Sequence, residues 1–309
     1  MSDVVITGGL GFILSYVTEY FTKNGLSVAV IDNCSIGSHP EIVDGSFKLI
    51  QKDFSQQGAY ELVLSEDPKF VIHAAAITDV DYSIKYPEET LRNNISCNLN
   101  AYEAARKLKN LARFLYVNTD EVYGECEYEK QEHEILFPRN PYSISKATGS
   151  ILRYGYDNTY PELKSKTTEI RMCNIFGPRQ DKRKIFPQII KSIKEEYSIP
   201  LQNDGQGFRE YLYVKNIPPL IELILEKGLR TYNVTSNEGF TVLDIFRIVE
   251  TKVNRLVKFH SSDRPGHDRW YRMDNSRIRD ELGWNPKYSF SAGLDDYLRS
   301  EGFALPPST

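Results

Sequence analysis

Short apolar, β-branched runs alternate with longer amphipathic stretches through the first half of this chain, and that rhythm limits its fold more than any other feature. The runs fall at residues 4–7, 28–31, 47–50, 70–73, 114–117 and 169–172, reading VVIT, VAVI, FKLI, FVIH, FLYV and EIRM. Apolar throughout more often than alternating, they are expected to be strands buried on both faces, as in a parallel sheet clad by helices. Between them, residues 12–24, 59–65, 87–109 and 142–160 read as helices. The alternation predicts a doubly wound α/β domain with a parallel, Rossmann-type sheet. After about Gly177 the helices shorten, and proline, charge and turn residues crowd positions 178–184, 203–206 and 263–267. We therefore expect one domain over residues 1–177 and a smaller C-terminal one over 178–309, with some exchange of chain between them.

Composition narrows the partners. The chain's 309 residues suffice for one large core or two modest ones. Thirty-eight Lys and Arg against 42 Asp and Glu leave a net charge of −4, and no basic run stands out. Nucleic acid and an anionic membrane surface are poor candidates for the main partner. An anionic ligand must instead be held by a few placed cations. Cys34, Cys97, Cys126 and Cys173 have no paired short spacing, which argues against a zinc knuckle or a disulfide scaffold. His39, His133 and His260 stand without a carboxylate or cysteine at ligand spacing, so no metal site is expected. The opening MSDVVITGG reads as a strand entering a turn, not as a leader. No apolar stretch approaches the roughly 20 residues that span a bilayer. A cytoplasmic location is expected.

The first strand runs straight into Thr7-Gly8-Gly9-Leu10-Gly11-Phe12-Ile13-Leu14. Glycine at positions 8 and 11 lets the backbone turn tightly and approach a diphosphate, whose charge then sits on a helix N-terminus. Asp32 ends the second run, close to the ~20-residue spacing of a carboxylate that accepts from an adenosine ribose. It would repel a 2′-phosphate, so the turn reads as a site for NAD in preference to NADP. A bare strand–helix turn is the alternative. Leu14 stands where such fingerprints carry a third small residue, and is expected to push the helix outward or to be accommodated by smaller neighbours.

Asn140-Pro141-Tyr142-Ser143-Ile144-Ser145-Lys146 opens a helix, with Asn suited to the N-cap and Pro to the first turn. Tyr142 and Lys146 are one turn apart and share a face. A phenol must fall about 3 units from ~10 to act as a base near neutrality, roughly 4 kcal/mol. A neighbouring ammonium and a cationic nicotinamide ring are expected to supply it. Alone, Tyr-x-x-x-Lys is common on surface helices; downstream of a dinucleotide turn it reads as the proton-transfer pair of a hydride-transfer enzyme.

TGGLGFI, NTDEVYG and YSISK together resemble the extended short-chain dehydrogenase/reductase family. Thr119-Asp120-Glu121-Val122-Tyr123-Gly124 narrows the resemblance to nucleoside-diphosphate-glucose 4,6-dehydratases. DRPGHD at 263–268 followed by Tyr271, RMCNIFGP at 171–178 and GQGFREYLYV at 205–214 extend it over almost the whole chain. The resemblance implies that residues 1–177 bind NAD and carry the catalytic groups, while 178–309 bind the sugar nucleotide. It implies that Tyr142 takes the 4-hydroxyl proton as hydride leaves C4, with Thr119 bonding that hydroxyl and Lys146 as Tyr142's partner. Glu121 would remove the C5 proton and Asp120 would protonate the departing 6-hydroxyl, before the hydride returns to C6. Asp120 must then stay protonated near neutrality, which a water-poor site beside Glu121 favours.

By the same resemblance the cofactor lies against Gly8, Gly11, Phe12, Ile13, Asp32, Asn33, Asp53, Phe54, Ala74, Ala76 and Asn94, besides Tyr142 and Lys146. Thr78, Asn174, Lys184, Arg209, Asn233, Arg264, His267 and Tyr271 are implied for the substrate. Arginine forks suit the diphosphate. Thr78-Asp79 replaces the family's usual Ser-His and Tyr82 its Arg, so Asp79 is expected to alter the charge near the sugar. Val214-Lys215-Asn216 stands where an acidic pair is usual. A homodimer packed through helices 87–109 and 142–160 is implied; Leu91, Ile95, Leu99 and Tyr102 form an apolar stripe that suits either that interface or an intrachain core. Alternatives are a sugar-nucleotide 4-epimerase, a decarboxylase, or a catalytically silent NAD-binding regulatory protein. Adjacent Asp and Glu argue against the first two, and the intact set Thr119, Asp120, Glu121, Tyr142 and Lys146 against the third. Nothing in the sequence separates thymine from uracil or cytosine as the base.

Overall fold

The computed structural model describes residues 2–35, 37–262 and 268–305. Strand β1 (Val4–Thr7) enters the glycine turn and helix α1 (Phe12–Lys23), followed by β2 (Val28–Asp32), β3 (Lys48–Gln51), α2 (Tyr60–Leu64) and β4 (Phe70–His73). The chain continues through α3 (Val80–Lys85), α4 (Pro87–Lys107), β5 (Arg113–Thr119), α5 (Pro141–Thr159) and β6 (Thr167–Met172). All six expected strands and all four expected helices are present, with ends shifted by a few residues. The short helix α3 was not expected. Asp79 starts it as N-cap, accepting from the Tyr82 amide at 2.9 Å.

The strands form one parallel sheet in the order β3-β2-β1-β4-β5-β6, extended at β6 by a returning strand, β10 (Thr231–Val234). Ile6 is registered against Val30 on one side and Ile72 on the other. The order reverses between β1 and β4, and the crevice at the carboxyl ends of these strands is where open α/β sheets hold ligands. Every residue of β1, β2, β5 up to Asn118, and β6 is buried. In β6 the buried charges are compensated: Glu169 accepts from Ser150, Asn118 and Arg171 at 2.6, 2.8 and 2.8 Å. Arg171 holds its carboxyl down at about 2 despite burial.

Beyond Phe176, the end of β7 (Asn174–Phe176), run α6 (Ile185–Glu195), β8 (Ile199–Gln202), β9 (Phe208–Tyr213) and α7 (Ile217–Lys227). After β10 come β11 (Gly239–Thr241), α8 (Val242–Val253), β12 (Phe259–Ser262), α9 (Ser276–Leu282) and α10 (Phe290–Ser300). β7 pairs parallel and β11 antiparallel with β9; β8 and β12 form a separate parallel pair. Helix α7 returns to the large sheet and touches α1, with Tyr20 donating to Glu222 at 2.6 Å.

Two glycines permit close approach of elements. Gly8 has φ +72°, and a Cβ there would lie 2.9 Å from the Ala75 backbone, so β1 turns directly against the segment after β4. At Gly149 a Cβ would stand 2.3 Å from the Tyr116 ring, so α5 rests on β5 there. Leu14 is accommodated: it is buried in the same cluster as Val17 and Phe21. The apolar stripe on α4 splits. Tyr102 is fully buried, whereas Ile95 and Leu99 face outward, 39% and 46% exposed; Ile151 and Tyr154 of α5 are exposed too. Among the described residues, no helix is long and apolar enough to cross a membrane.

Candidate functional site

The glycine turn has the features of a diphosphate cradle. Gly11 is the N-cap of α1 and offers no side chain, leaving the first-turn amides uncapped. Phe12 and Ile13 begin that helix and are half-buried. At the end of β2 the Asp32 carboxylate accepts from the amides of Leu10 and Cys34 at 3.0 and 2.8 Å and from the Ser38 hydroxyl at 3.0 Å. The turn and the loop after β2 therefore fix this acceptor in place, and Asn33 bonds the Ser35 amide within that loop. Asp53 follows β3 and accepts from Ser55; Phe54 is buried beside His73. Ala74 and Ala76 line the half-buried strip beyond β4. These residues fit a dinucleotide. Asn94 does not fit as a direct contact. Its oxygen accepts from the Ile77 amide at 2.7 Å, and its nitrogen donates to Ile77 O and Ser145 Oγ at 3.0 and 2.7 Å. It braces the 74–78 strip against α5 instead.

His73, at the end of β4, ties β1 to α5. Thr7 bonds its Nδ1 at 2.7 Å and Asn98 its Nε2 at 3.0 Å, while Asn98 donates to Ser145 O and Thr148 Oγ1, both at 3.1 Å. Burial and nearby Lys146 push the imidazole down to about 3, so it is neutral.

The reactive groups gather after β5. Thr119 ends that strand, and residues 120–123 form one 3₁₀ turn. Thr119 Oγ1 donates to Asp120 at 3.1 Å and accepts from the Glu121 amide at 3.3 Å. Asp120 is buried, and burial followed by the neighbouring Glu121 carboxylate pushes it up to about 7. Tyr142 comes from the first turn of α5. Its phenol hydrogen-bonds Thr119 and lies within the fields of both Glu121 and Asp120. Tyr142, Thr119, Asp120 and Glu121 thus lie beside one another.

The expected depression of the Tyr142 phenol is not produced by the chain's own charges. Burial, then Glu121 and Asp120, raise it well above the usual phenolic range. Lys146 lies elsewhere: its Nζ donates to Val117 O at 2.7 Å and sits 4.6 Å over the Tyr116 ring. Burial pushes this ammonium down to about 8. Lowering the phenol must therefore come from a further cation.

The residues expected for substrate divide. Arg209 faces Asp120, opposing the rise of its carboxyl. Its fork is committed to the carbonyls of Phe208, Asp268 and Arg269 at 2.7, 2.6 and 3.1 Å. It lies 4.3 Å over the Tyr271 ring. The Tyr271 hydroxyl donates to Asp268, which also forms an ion contact with Arg139 at 2.8 Å. Tyr271 therefore offers a ring, not a free hydroxyl, beside Glu121. Asn233 is wrong as a substrate contact. It is fully buried in β10, accepting from Tyr123 at 2.8 Å and donating to Lys130 O and Asp274 O at 2.7 and 3.1 Å. Asn174 opens β7 and is half-buried; Thr78 and Lys184 are exposed on two turns that meet through an Asp79–Arg183 ion pair. That pair offsets the Asp79 charge expected near the sugar. Arg264 and His267 lie outside the described residues.

Other expectations shift. Lys215 pairs with Asp296 at 2.7 Å and Asn216 clamps Tyr288, both structural. His39 is not isolated: it bonds Glu41 at 2.7 Å and Arg179 O at 2.8 Å. Missed in the sequence was Glu210, buried and raised by burial to about 7, which also acts on Asp120. Only its place beside Arg209, on the opposite face of β9, signalled it. Among the described residues no cluster of His, Cys, Asp and Glu could hold a metal, and the four cysteines are free.

Comparison with known proteins agrees with this geometry. The GDP-mannose 4,6 dehydratase family matches residues 5–297. The chain belongs to that family. The low-salt glycan biosynthesis protein Agl12 of Haloferax volcanii is 32% identical over 95% of this chain and 96% of its own length. Among solved structures, the dTDP-glucose 4,6-dehydratase DesIV of Streptomyces venezuelae, with NAD bound, superposes with a TM-score of 0.88 at 25% identity over 96% of this chain and 95% of its own. The UDP-glucose 4-epimerase of Thermus thermophilus, in complex with NAD, gives 0.89 at 26% identity over 98% and 99%. Family membership and the Rossmann-type fold thus bear out the resemblance to extended short-chain dehydrogenases/reductases, while dehydratases and epimerases are both near neighbours.

Proposed function

We propose that this chain is an NAD-dependent 4,6-dehydratase of a nucleoside-diphosphate-glucose, dTDP- or UDP-glucose, forming the 4-keto-6-deoxy sugar nucleotide. The observation that carries the reading is a buried Asp120 raised to about 7 beside Glu121, both in the field of Tyr142. Elimination of water needs one carboxyl as acid and another as base at adjacent carbons, and a buried, raised Asp120 directly beside a second carboxyl meets that need. Simple epimerisation at C4 needs neither.

When bound in the glycine turn, NAD⁺ would supply a reversible hydride acceptor for the sugar. The chain's residues handle the protons. Tyr142 takes the proton of the 4-hydroxyl, which Thr119 bonds. Glu121 removes the C5 proton, made acidic by the new ketone, and returns a proton to C5 when hydride comes back to C6. Asp120 gives its proton to the 6-hydroxyl, which leaves as water. Gly8, Gly11 and Asp32 hold the dinucleotide, and Lys146, bonded to Val117 O, braces α5 against β5 below Tyr142. Arg209 supplies positive charge at the sugar-nucleotide side, with Asn174, Thr78 and Lys184 around it. Residues 1–177 then serve as cofactor domain and 178–309 as substrate domain. The outward apolar residues of α4 and α5 support a homodimer, and the net charge of −4 without a basic run supports a small-molecule partner over nucleic acid.

The test is incubation with dTDP-glucose, UDP-glucose and CDP-glucose followed by detection of a 4-keto product. The reading expects turnover of dTDP- or UDP-glucose. Interconversion at C4 without water loss would favour an epimerase, which the likeness to the Thermus enzyme makes the second reading.

A further inference from the structure

The group proposed to remove the C5 proton does not stand alone. Asn140 Nδ2 donates to Glu121 Oε2 at 3.1 Å. The same side chain caps α5: its Oδ1 accepts from the Ser143 amide at 2.8 Å, and Ser143 Oγ accepts from the Asn140 amide at 3.1 Å. Asn140 is 5% exposed. Its amide therefore has one sensible orientation. Turned over, it would set oxygen against the Glu121 carboxylate and N–H against the Ser143 N–H.

We infer that Asn140 is a positioning residue that fixes the Glu121 carboxylate relative to Tyr142. The inference rests on the dehydratase reading. One planar amide spans the carboxylate at its nitrogen end and the first turn of α5 at its oxygen end, and Tyr142 is two residues along in that turn. Base and phenol thus share a rigid bracket instead of being placed separately by β5 and α5. Donation to Oε2 leaves Oε1 as the oxygen free to receive the proton. Pro141 sharpens the bracket, since the residue before proline is held extended, and Asn140 has φ −141° and ψ 162°.

The cap and the bracket can be separated. Asn140→Asp and Asn140→Ser both keep an oxygen that caps the helix. Neither can donate to Glu121 as the amide does: aspartate brings a like charge, and serine is too short. Each variant, with NAD, is given the sugar nucleotide that the wild type turns over. Absorbance of reduced nicotinamide reads oxidation at C4, and deuterium uptake from D₂O reads proton removal at C5. Both variants are expected to melt near the wild type and to reduce the cofactor. Their C5 exchange should fall on the order of 100-fold, the scale of a misplaced catalytic group. In Asn140→Asp the pH at which exchange reaches half its maximum should rise. Exchange and reduction falling together, undiminished exchange, or loss of folding in both variants would each overturn the inference, the last by assigning Asn140 to the cap alone. A wild type that yields no 4-keto product would instead defeat the dehydratase reading on its own.

Discussion

Asp120, the proposed proton donor, is kept protonated near neutrality at a cost in stability. Its folded value of about 7 lies above the ordinary 3.8. Between those values the folded chain retains a proton that the unfolded chain releases, so stability falls as pH rises through that window and levels off above it. The penalty is on the order of 4 kcal/mol as an upper bound, shared with Glu121 and Glu210. Asp120→Asn should therefore abolish product formation yet resist urea better than the wild type at about pH 8, with the advantage gone near pH 4. Urea melts at the two pH values check this, and a variant less stable at the higher pH would contradict it. In the wild type, product formation should decline above about 7 as the Asp120 proton is lost. Glu121→Gln should leave binding and cofactor reduction but stop C5 exchange with solvent, as read by deuterium uptake.

Elements bring these groups together through close approaches that tolerate little. A Cβ on Gly8 would meet the Ala75 backbone at 2.9 Å, at a φ of +72°. Gly8→Ala is expected to cost about 1–3 kcal/mol and to weaken dinucleotide affinity, measurable by thermal melts and a binding titration. These elements were legible in the sequence because their signals are local: strand runs, glycine turn, Asn140 cap and the Tyr142–Lys146 spacing. What long-range packing does with a side chain was not. Asn94 and Asn233 match family positions, yet their amides are consumed by Ile77, Ser145, Tyr123 and two backbone carbonyls. The Asp79–Arg183 pair joins positions a hundred residues apart, and no local pattern announces it.

At the scale of the molecule, β10 and α7 return from the second half to the large sheet, β10 pairing along β6 and α7 packing on α1, so the two halves are stitched together across it. The outward face of α4 and α5 carries Ile95, Leu99, Ile144, Ile151 and Tyr154. Burying such side chains between two copies would contribute about 1.5–3 kcal/mol for each one fully covered. Leu99→Glu combined with Ile151→Glu should yield a monomer with an intact fold, seen by sedimentation and circular dichroism. A wild type already monomeric would remove the interface from the account.

In the proposed reaction one hydride leaves C4 and returns at C6 of the same sugar. Substrate carrying deuterium at C4 decides it, with the product read by mass and by proton NMR. The label is expected in the C6 methyl group of a 4-keto product that has lost water. Label retained at C4, or a product that keeps its 6-hydroxyl, would contradict it.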